Sequence, residues 1–350
     1  MWLFRSAFVF ALLATLVACL AGVTMTPSTI GQVVDAWGGS FWDLIPFTLQ
    51  MALVIITGHV LAASRPMRRV IAMLSGIPNS PSAAVALVTL FALVTSWINW
   101  GFSLVFSAML ARAIARRVPR VDYRALAAAS FLGLGSIWAQ GLSGSAALQM
   151  ASPGALQPQL REIVAHGGIV PGGIIGFSHT IFLWQSLVAV VVEIAIVTLV
   201  MWLATPSAAR ARTAEDLGIS LIDGSGEEGE DDPSSGGASS PTTIPPGAWL
   251  EHSPLVTWCI VALGAAYLAR YFARSADILN TLTLNVVNLA FLLAGMALHG
   301  TPARLMRAVR DATPAVWGVV LQFPFYAGIA GVITATHLNE QLAGIFVRMS

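Results

Sequence analysis

The chain contains no lysine, so all 18 of its Lys/Arg-type residues are arginine. Charge of either sign is scarce: 17 acidic residues, a formal net charge of +1 and 10% charged residues overall. A balance so close to zero gives no electrostatic reason to expect nucleic acid or an acidic macromolecule as partner. Cysteine is nearly missing too. Cys19 and Cys259 each sit in an apolar run, far apart in sequence, which supports neither a disulfide framework nor a metal site. There is no Cys-x-x-Cys, no pair of histidines at helical spacing and no Walker-type glycine loop, so ATP-driven work has no support. No cofactor and no metal are expected.

What is present is apolar. Hydrophobic residues make up 56% of the 350, and the mean hydropathy of +0.77 describes an all-α polytopic membrane protein. A spanning helix needs about 20 mostly apolar residues. Runs at 2–22, 44–63, 123 onward, 179–203, 255–272, 282–298 and 312–335 are the candidates. The first, with Arg5 near its start, reads as a retained span. A cleaved signal peptide, or a lipoprotein-type box at Leu16-Val17-Ala18-Cys19, is the alternative. Residues 23–40 are more polar and free of arginine, which suits an external loop.

The chain is organised around Ser96-Trp97-Ile98-Asn99-Trp100-Gly101-Phe102-Ser103. Apolar runs lead in from Ser82 and out to Ala115. Arg65, Arg68 and Arg69 stand before it, and Arg112, Arg116, Arg117, Arg120 and Arg124 after it. Short arginine-rich loops stay cytoplasmic. With both clusters on that side, the chain must enter the bilayer and return, and only Asn99, Trp100 and Gly101 are available for the bend. This predicts a re-entrant hairpin over 82–117. Irregular backbone at that depth survives only when packed in protein or lining a wet cavity, so the bend is the first candidate site.

Other polar groups lie inside apolar runs. Gln50, Thr57, Gly58 and His59 occupy the second span, where interhelical hydrogen bonding and ligand contact are both open. The third span degenerates into Gly133-Leu134-Gly135-Ser136, then Gly141-Leu142-Ser143-Gly144-Ser145. This reads either as a broken helix or as a packing face of small residues. Residues 153–178, with Arg161, Glu162 and His166, form a Gly/Pro-rich loop expected outside. Glu193 falls near the middle of the next span. A carboxylate there costs about 2.5–3.5 kcal/mol on the insertion scale, so it is expected protonated and facing the protein interior. Asn285 and Asn288, three apart, share a helix face, with Asn280 just outside; a neighbouring helix or a polar ligand would satisfy them. Arg304, Arg307 and Arg310 after Pro302 predict a short basic interfacial helix.

Residues 205–252 break the apolar pattern. The run Glu227-Glu228-Gly229-Glu230-Asp231-Asp232 and the Ser/Gly/Pro stretch after it cannot bury enough apolar surface to order themselves, so a disordered acidic cytoplasmic linker is expected. It divides the chain into a first transmembrane repeat at 1–204 and a second, incomplete one at 253–350. Leu49-Gln50-Met51 and Leu321-Gln322-Phe323 lie on spans of opposite direction, the mark of an inverted-repeat transporter with sites at discontinuous helices.

Several blocks together resemble bacterial short-chain fatty acid transporters of the acetoacetate/butyrate type. They are Trp37-Gly38-x-x-Phe41-Trp42, Gln50-Met51-Ala52-Leu53 with Thr57-Gly58-His59, Ile98-Asn99-Trp100-Gly101-Phe102, Ala115-Arg116-Arg117-Val118-Pro119 with Asp122-Tyr123, Ser143-Gly144-Ser145, Asn285-x-x-Asn288-Leu289, and Gln322-Phe323-Pro324-Phe325-Tyr326-Ala327-Gly328-Ile329. The resemblance covers the chain outside the linker. It implies an ion-transporter-like fold of inverted repeats and paired hairpins, a short-chain carboxylate as substrate, and residence in the bacterial cytoplasmic (inner) membrane. A co-transported proton or sodium ion and a second copy of the chain are further partners compatible with it. It also implies a second hairpin beyond residue 350 that this sequence lacks, so a truncated, non-transporting chain is the alternative. Glu193 is not part of the family pattern.

The expected substrate or ion site comprises Asn99, Trp100, Gly101, Phe102, Ser103, Ser143, Gly144, Ser145, Asn285 and Asn288. The limb that starts near Phe102 points its first amides into the membrane, where helix N-termini attract anions. The limb that ends at Ile98-Asn99 offers carbonyls and the Asn99 amide to a cation. One remote alternative is an intramembrane serine protease built on Gly141-Leu142-Ser143-Gly144. It would need a base within reach of Ser143, and His179 and His299 fall at span ends.

Overall fold

A computed structural model describes residues 7–151, 175–221, 248–274 and 281–349. Every regular element among them is helical. Among the described residues, six helices are long and apolar enough to cross a membrane, as expected of an all-α polytopic membrane protein. Asn280, the loop carrying Arg161, Glu162 and His166, and the acidic run at 227–232 lie outside the described residues.

Helix α1 (Ala7–Met25) is followed by α2 (Ile30–Ser40), where the sequence suggested only an external loop. The helix starts because Thr29 and Gln32 cap it reciprocally. Gln32 Oε1 accepts the Thr29 N–H at 2.8 Å and Thr29 Oγ1 accepts the Gln32 N–H at 3.3 Å. Next come α3 (Ile45–Ala62), opened by Pro46 in its first turn, and α4 (Arg65–Leu74), which turns Ile71 inward with its arginines at the surface. The arginines of α4 were legible in the sequence; its helix was not.

Helices α5 (Pro81–Ile98) and α6 (Trp100–Arg117) are separated by Asn99 alone. They fold back on each other: the rings of Phe91 and Phe106 stack at 4.5 Å, and Ser103 Oγ donates to the Ala92 carbonyl at 2.7 Å. Each limb of 18 residues is about 27 Å long. The far end of α6 lies against α4, where Arg117 Nη1 donates to the Ala72 carbonyl at 3.1 Å.

Asp122 then caps α7 (Tyr123–Gly135) through the Arg124 and Ala125 amides. A tight turn at Ile137–Gln140 and the short α8 (Ser145–Ala151) follow. Helix α9 (Trp184–Ala204) packs along α5. The start of the expected linker has a definite path. Arg212 N–H donates to Asp122 Oδ2 at 3.1 Å, its carbonyl accepts the Tyr123 N–H at 2.8 Å, Arg112 Nη2 donates to the Ser220 carbonyl at 3.2 Å, and Arg116 bonds the Leu221 carbonyl.

The remaining helices are α10 (Ala248–His252), α11 (Pro254–Ala273), α12 (Leu284–His299), α13 (Pro302–Ala312), α14 (Trp317–Ala335) and α15 (Leu338–Met349). Helix α13 is the basic amphipathic helix foreseen after Pro302, with Ala308 and Ala312 buried. Helix α3 is the pivot of the packing, touching α6, α12, α13 and α14. It lies parallel to α12: Gln50 meets Asn285 and Asn288 near one end, and the Val60 carbonyl meets His299 Nε2 at 2.8 Å near the other. The largest apolar core runs between α5, α6 and α7 and includes Val85, Val88, Phe106, Leu110, Ile114 and Leu126.

Candidate functional site

Asn99 holds the extended conformation between two helices, with φ −153° and ψ 114°, and none of its surface is exposed. Its backbone serves both limbs. The N–H donates to the Thr95 carbonyl at 2.9 Å, closing α5, and its carbonyl accepts the Ser103 N–H at 3.0 Å, opening α6. Its side-chain Oδ1 caps α6 by accepting the Phe102 N–H at 2.8 Å. The amide oxygen is thereby used, and the group left over is Nδ2, buried without a partner. The unused face of this amide is therefore a donor, suited to an anion and not to the cation expected from the sequence.

The broken segment closes over the bend. Leu142 N–H donates to the Trp97 carbonyl at 2.7 Å, and Ser143 Oγ, also fully buried, accepts the Trp100 N–H at 2.9 Å. Both readings of the glycine-rich stretch are realised. The helix breaks after Gly135, and the small residues pack: a Cβ on Gly133 would strike the Ala92 carbonyl, and one on Gly141 the Trp97 carbonyl. On the opposite side, Gly58 and Gly101 let α3 and α6 touch backbone to backbone. A Cβ on Gly101 would come within 2.7 Å of the Val54 carbonyl, and one on Gly58 within 3.0 Å of Asn99 Oδ1. The indole nitrogens of Trp97 and Trp100 join Asn99 Nδ2 as buried donors without partners. Three donor nitrogens on residues 97–100 are therefore left unpartnered, each costing about 1–3 kcal/mol unless a ligand or water completes it.

Not every predicted residue faces this centre. The Phe102 ring packs on Phe106, with centroids 5.2 Å apart, and belongs to the apolar core. Ser103 staples the hairpin through Ala92 and is 1% exposed. Gly144 abuts the carbonyls of Trp138 and Ala139. Ser145 opens α8. Asn285 and Asn288 form a separate set on the α12 side of α3: Gln50 Nε2 donates to Asn285 Oδ1 at 2.8 Å and Asn288 Nδ2 donates to the Gln50 carbonyl at 2.9 Å. Both are thus bonded to a neighbouring helix, yet Gln50 Oε1 and Asn288 Oδ1 remain buried acceptors without donors. Between the two polar sets lies an apolar cluster that includes Met51, Val54, Leu148, Phe177, Leu284 and Trp100.

Glu193 faces inward and meets Gln140, whose Nε2 donates to Glu193 Oε2 at 2.5 Å. The inward direction of Glu193 agrees with the expectation from the sequence; Gln140, its partner, was signalled there only by an amide inside an apolar, glycine-rich segment. The bases considered for Ser143 are engaged elsewhere: His179 Nδ1 pairs with Ser178 Oγ at 3.0 Å and His299 with the Val60 carbonyl. At the arginine-rich end of the hairpin, the Arg124 guanidinium and the amides of Arg212 and Ala125 hold the Asp122 carboxyl down to about 2, against the opposing effect of its burial.

A family profile described as "Short chain fatty acid transporter" matches residues 2–348. Two relatives, both named provisionally as short-chain fatty acid transporters, align over nearly all of this chain. One, from Escherichia coli (strain K12), is 37% identical over 344 residues, covering 98% of this chain and 72% of the relative. The other, from Haemophilus influenzae (strain ATCC 51907 / DSM 11121 / KW20 / Rd), is 31% identical over 342 residues with the same two coverages. A match over 98% of this chain lends no support to the expected truncation. No solved structure matches.

Proposed function

The chain belongs to the short-chain fatty acid transporter family, and from that premise we propose that it carries butyrate and acetoacetate across the membrane coupled to a cation, with the carboxylate received at the Asn99 bend. It is a multi-pass protein of the bacterial inner membrane, its family role is transport of short-chain fatty acids, and that role is non-enzymatic.

The observation that carries the site assignment is the fully buried Asn99 whose Nδ2 has no partner. A carboxylate offers the acceptor that this donor lacks, and the first turn of α6 adds the favourable end of a helix dipole. Ser143 fixes the mouth of that turn. The substrate's tail contributes little: at about 0.8 kcal/mol per buried methylene, a four-carbon acid gains only a few kcal/mol from its hydrocarbon. Head-group recognition supplies the rest. Two oxygen acceptors without donors, Gln50 Oε1 and Asn288 Oδ1, supply a neutral, oxygen-lined place for the coupling ion on the other side of α3.

In this reading the hairpin at 82–117 is re-entrant, with its bend submerged, and residues 1–204 and 253–350 are two repeats joined by a cytoplasmic linker. Purified protein in proteoliposomes, given radiolabelled butyrate with pH and sodium gradients imposed separately, tests the transport. Uptake above protein-free liposomes under at least one gradient is the expected result, and its absence overturns the reading. A single cysteine at position 100, in a chain with Cys19 and Cys259 replaced, tests the bend. It should resist an impermeant thiol reagent added outside sealed cells; rapid labelling there would mean a surface loop.

A further inference from the structure

Glu193 is the single Asp or Glu within the six spans, and the carboxylate site above makes no use of it. On α9, Val190, Glu193, Ile194 and Val197 fall at helical spacing on one face. Val190, Ile194 and Val197 pack with Leu93, Trp97, Leu132 and Ile137. Glu193 therefore faces the protein beside α5 and the turn at 137–140, and it bonds Gln140 at 2.5 Å. Gln140 is two residues from Leu142, which bonds the Trp97 carbonyl, and three from Ser143, which bonds the Trp100 amide. A carboxyl group in mid-span is thus tied through one short covalent segment to both sides of the Asn99 bend.

We propose that Glu193 is the proton-linked positioning residue of this transporter: its protonation state, read by Gln140, sets how the 136–144 segment holds the hairpin bend, and so couples proton and carboxylate binding. This rests on the reading that the bend binds the substrate. A charged Glu193 accepts from Gln140 Nε2 and depends on that bond to offset its desolvation in the bilayer. Gaining a proton removes the charge and the demand for the bond, leaving the carboxamide free to turn its oxygen toward the acid O–H. Among the described residues, the elements packed against it carry no competing charge. Helix α5, the segment 136–144 and residues 125–135 of α7 carry no titratable or charged side chain. At the far end of α7, Arg124 is paired with Asp122. Helix α9 bears no ionisable group besides Glu193.

Linkage gives the test, because a proton that favours substrate binding must itself be favoured by substrate. Initial butyrate uptake into proteoliposomes is measured with and without an outside-acid gradient, between about pH 6 and pH 7.5. The wild-type gradient stimulation is expected to be about fivefold or more, within the usual range of coupling. Glu193→Gln, which keeps shape and hydrogen bonding but cannot titrate, should bring that ratio to about one while gradient-free butyrate counterflow stays within about twofold. Glu193→Asp, still ionisable, should retain the stimulation. If Glu193→Gln does not reach the membrane, Gln140→Leu breaks the same link and should lose the stimulation too. Full stimulation in both Glu193→Gln and Gln140→Leu overturns the inference, as does wild-type uptake driven by sodium alone. Wild-type protein that takes up no butyrate under any gradient overturns the transport reading itself.

Discussion

Ser143 Oγ accepts the Trp100 N–H at 2.9 Å, so the discontinuity of one membrane segment caps the turn of another. Neither segment could hold its irregular backbone alone in a low-dielectric setting, since each would strand polar groups. Together they pair the Trp100 and Leu142 amides that either segment alone would strand.

Asn99→Ala and Ser143→Ala should each lower butyrate uptake by about tenfold or more, equivalent to about 1.4 kcal/mol of lost recognition. The amount of protein in the membrane should change by less than about twofold, because side-chain hydrogen bonds between membrane helices average only about 0.6 kcal/mol. Uptake kinetics normalised to quantified membrane protein separate the two effects. Unchanged uptake in both variants would remove the site from Asn99.

Gly58→Val and Gly101→Val should lower the thermal stability of the purified protein, since either side chain meets backbone atoms of the facing helix. Overpacking of this kind costs about 1–3 kcal/mol. Gly38→Ala, at a position with open space around the missing side chain, is the control and should melt as the wild type does. Unfolding followed by intrinsic fluorescence in detergent reads the difference.

Asp122→Asn should destabilise the protein at neutral pH and lose that effect in acid. The folded carboxyl sits at about 2, below its ordinary value of 3.8, so the stabilisation is present above pH 3.8 and fades as the pH falls toward about 2. A shift of this size corresponds to about 2 kcal/mol. Melting curves of the two proteins should therefore differ at pH 7 and converge as the pH drops below about 4. A gap that persisted at low pH would show that the carboxylate charge is not its source.

Asn288→Leu should cost uptake more than stability. The substitution frees the Gln50 carbonyl, a loss of about 0.6–2 kcal/mol in a membrane setting. It also removes one of the two unsatisfied acceptors. A variant that melted like the wild type, yet needed a steeper cation gradient for the same uptake, would place the ion there; wild-type gradient dependence would not.

Much of this arrangement was legible in the residues. The turn at Asn99 could be placed because arginines flank two apolar runs that have no polar loop between them. The basic helix after Pro302 followed from its three-residue arginine spacing. Helix α2 was hidden because its glycines and polar residues mimic a loop, and only the Thr29–Gln32 capping pair betrays its start. The roles of Phe102 and Ser103 were misleading for another reason. Next to the bend in sequence, they point into the hairpin's own seam, and side-chain direction at a chain reversal depends on tertiary packing that no local pattern encodes. Gln140 was passed over because a lone amide announces a partner without naming it.

The glycine pair at Gly58 and Gly101 limits the ways this protein can change shape. With no side chains between them, the two backbones have nothing flexible to slide over, and packed interfaces of this kind switch between discrete arrangements more readily than they deform. Alternating exposure of Asn99 to the two aqueous phases would then require the hairpin to travel as one rigid block with α3, and the hinges that permit such travel must lie elsewhere in the chain.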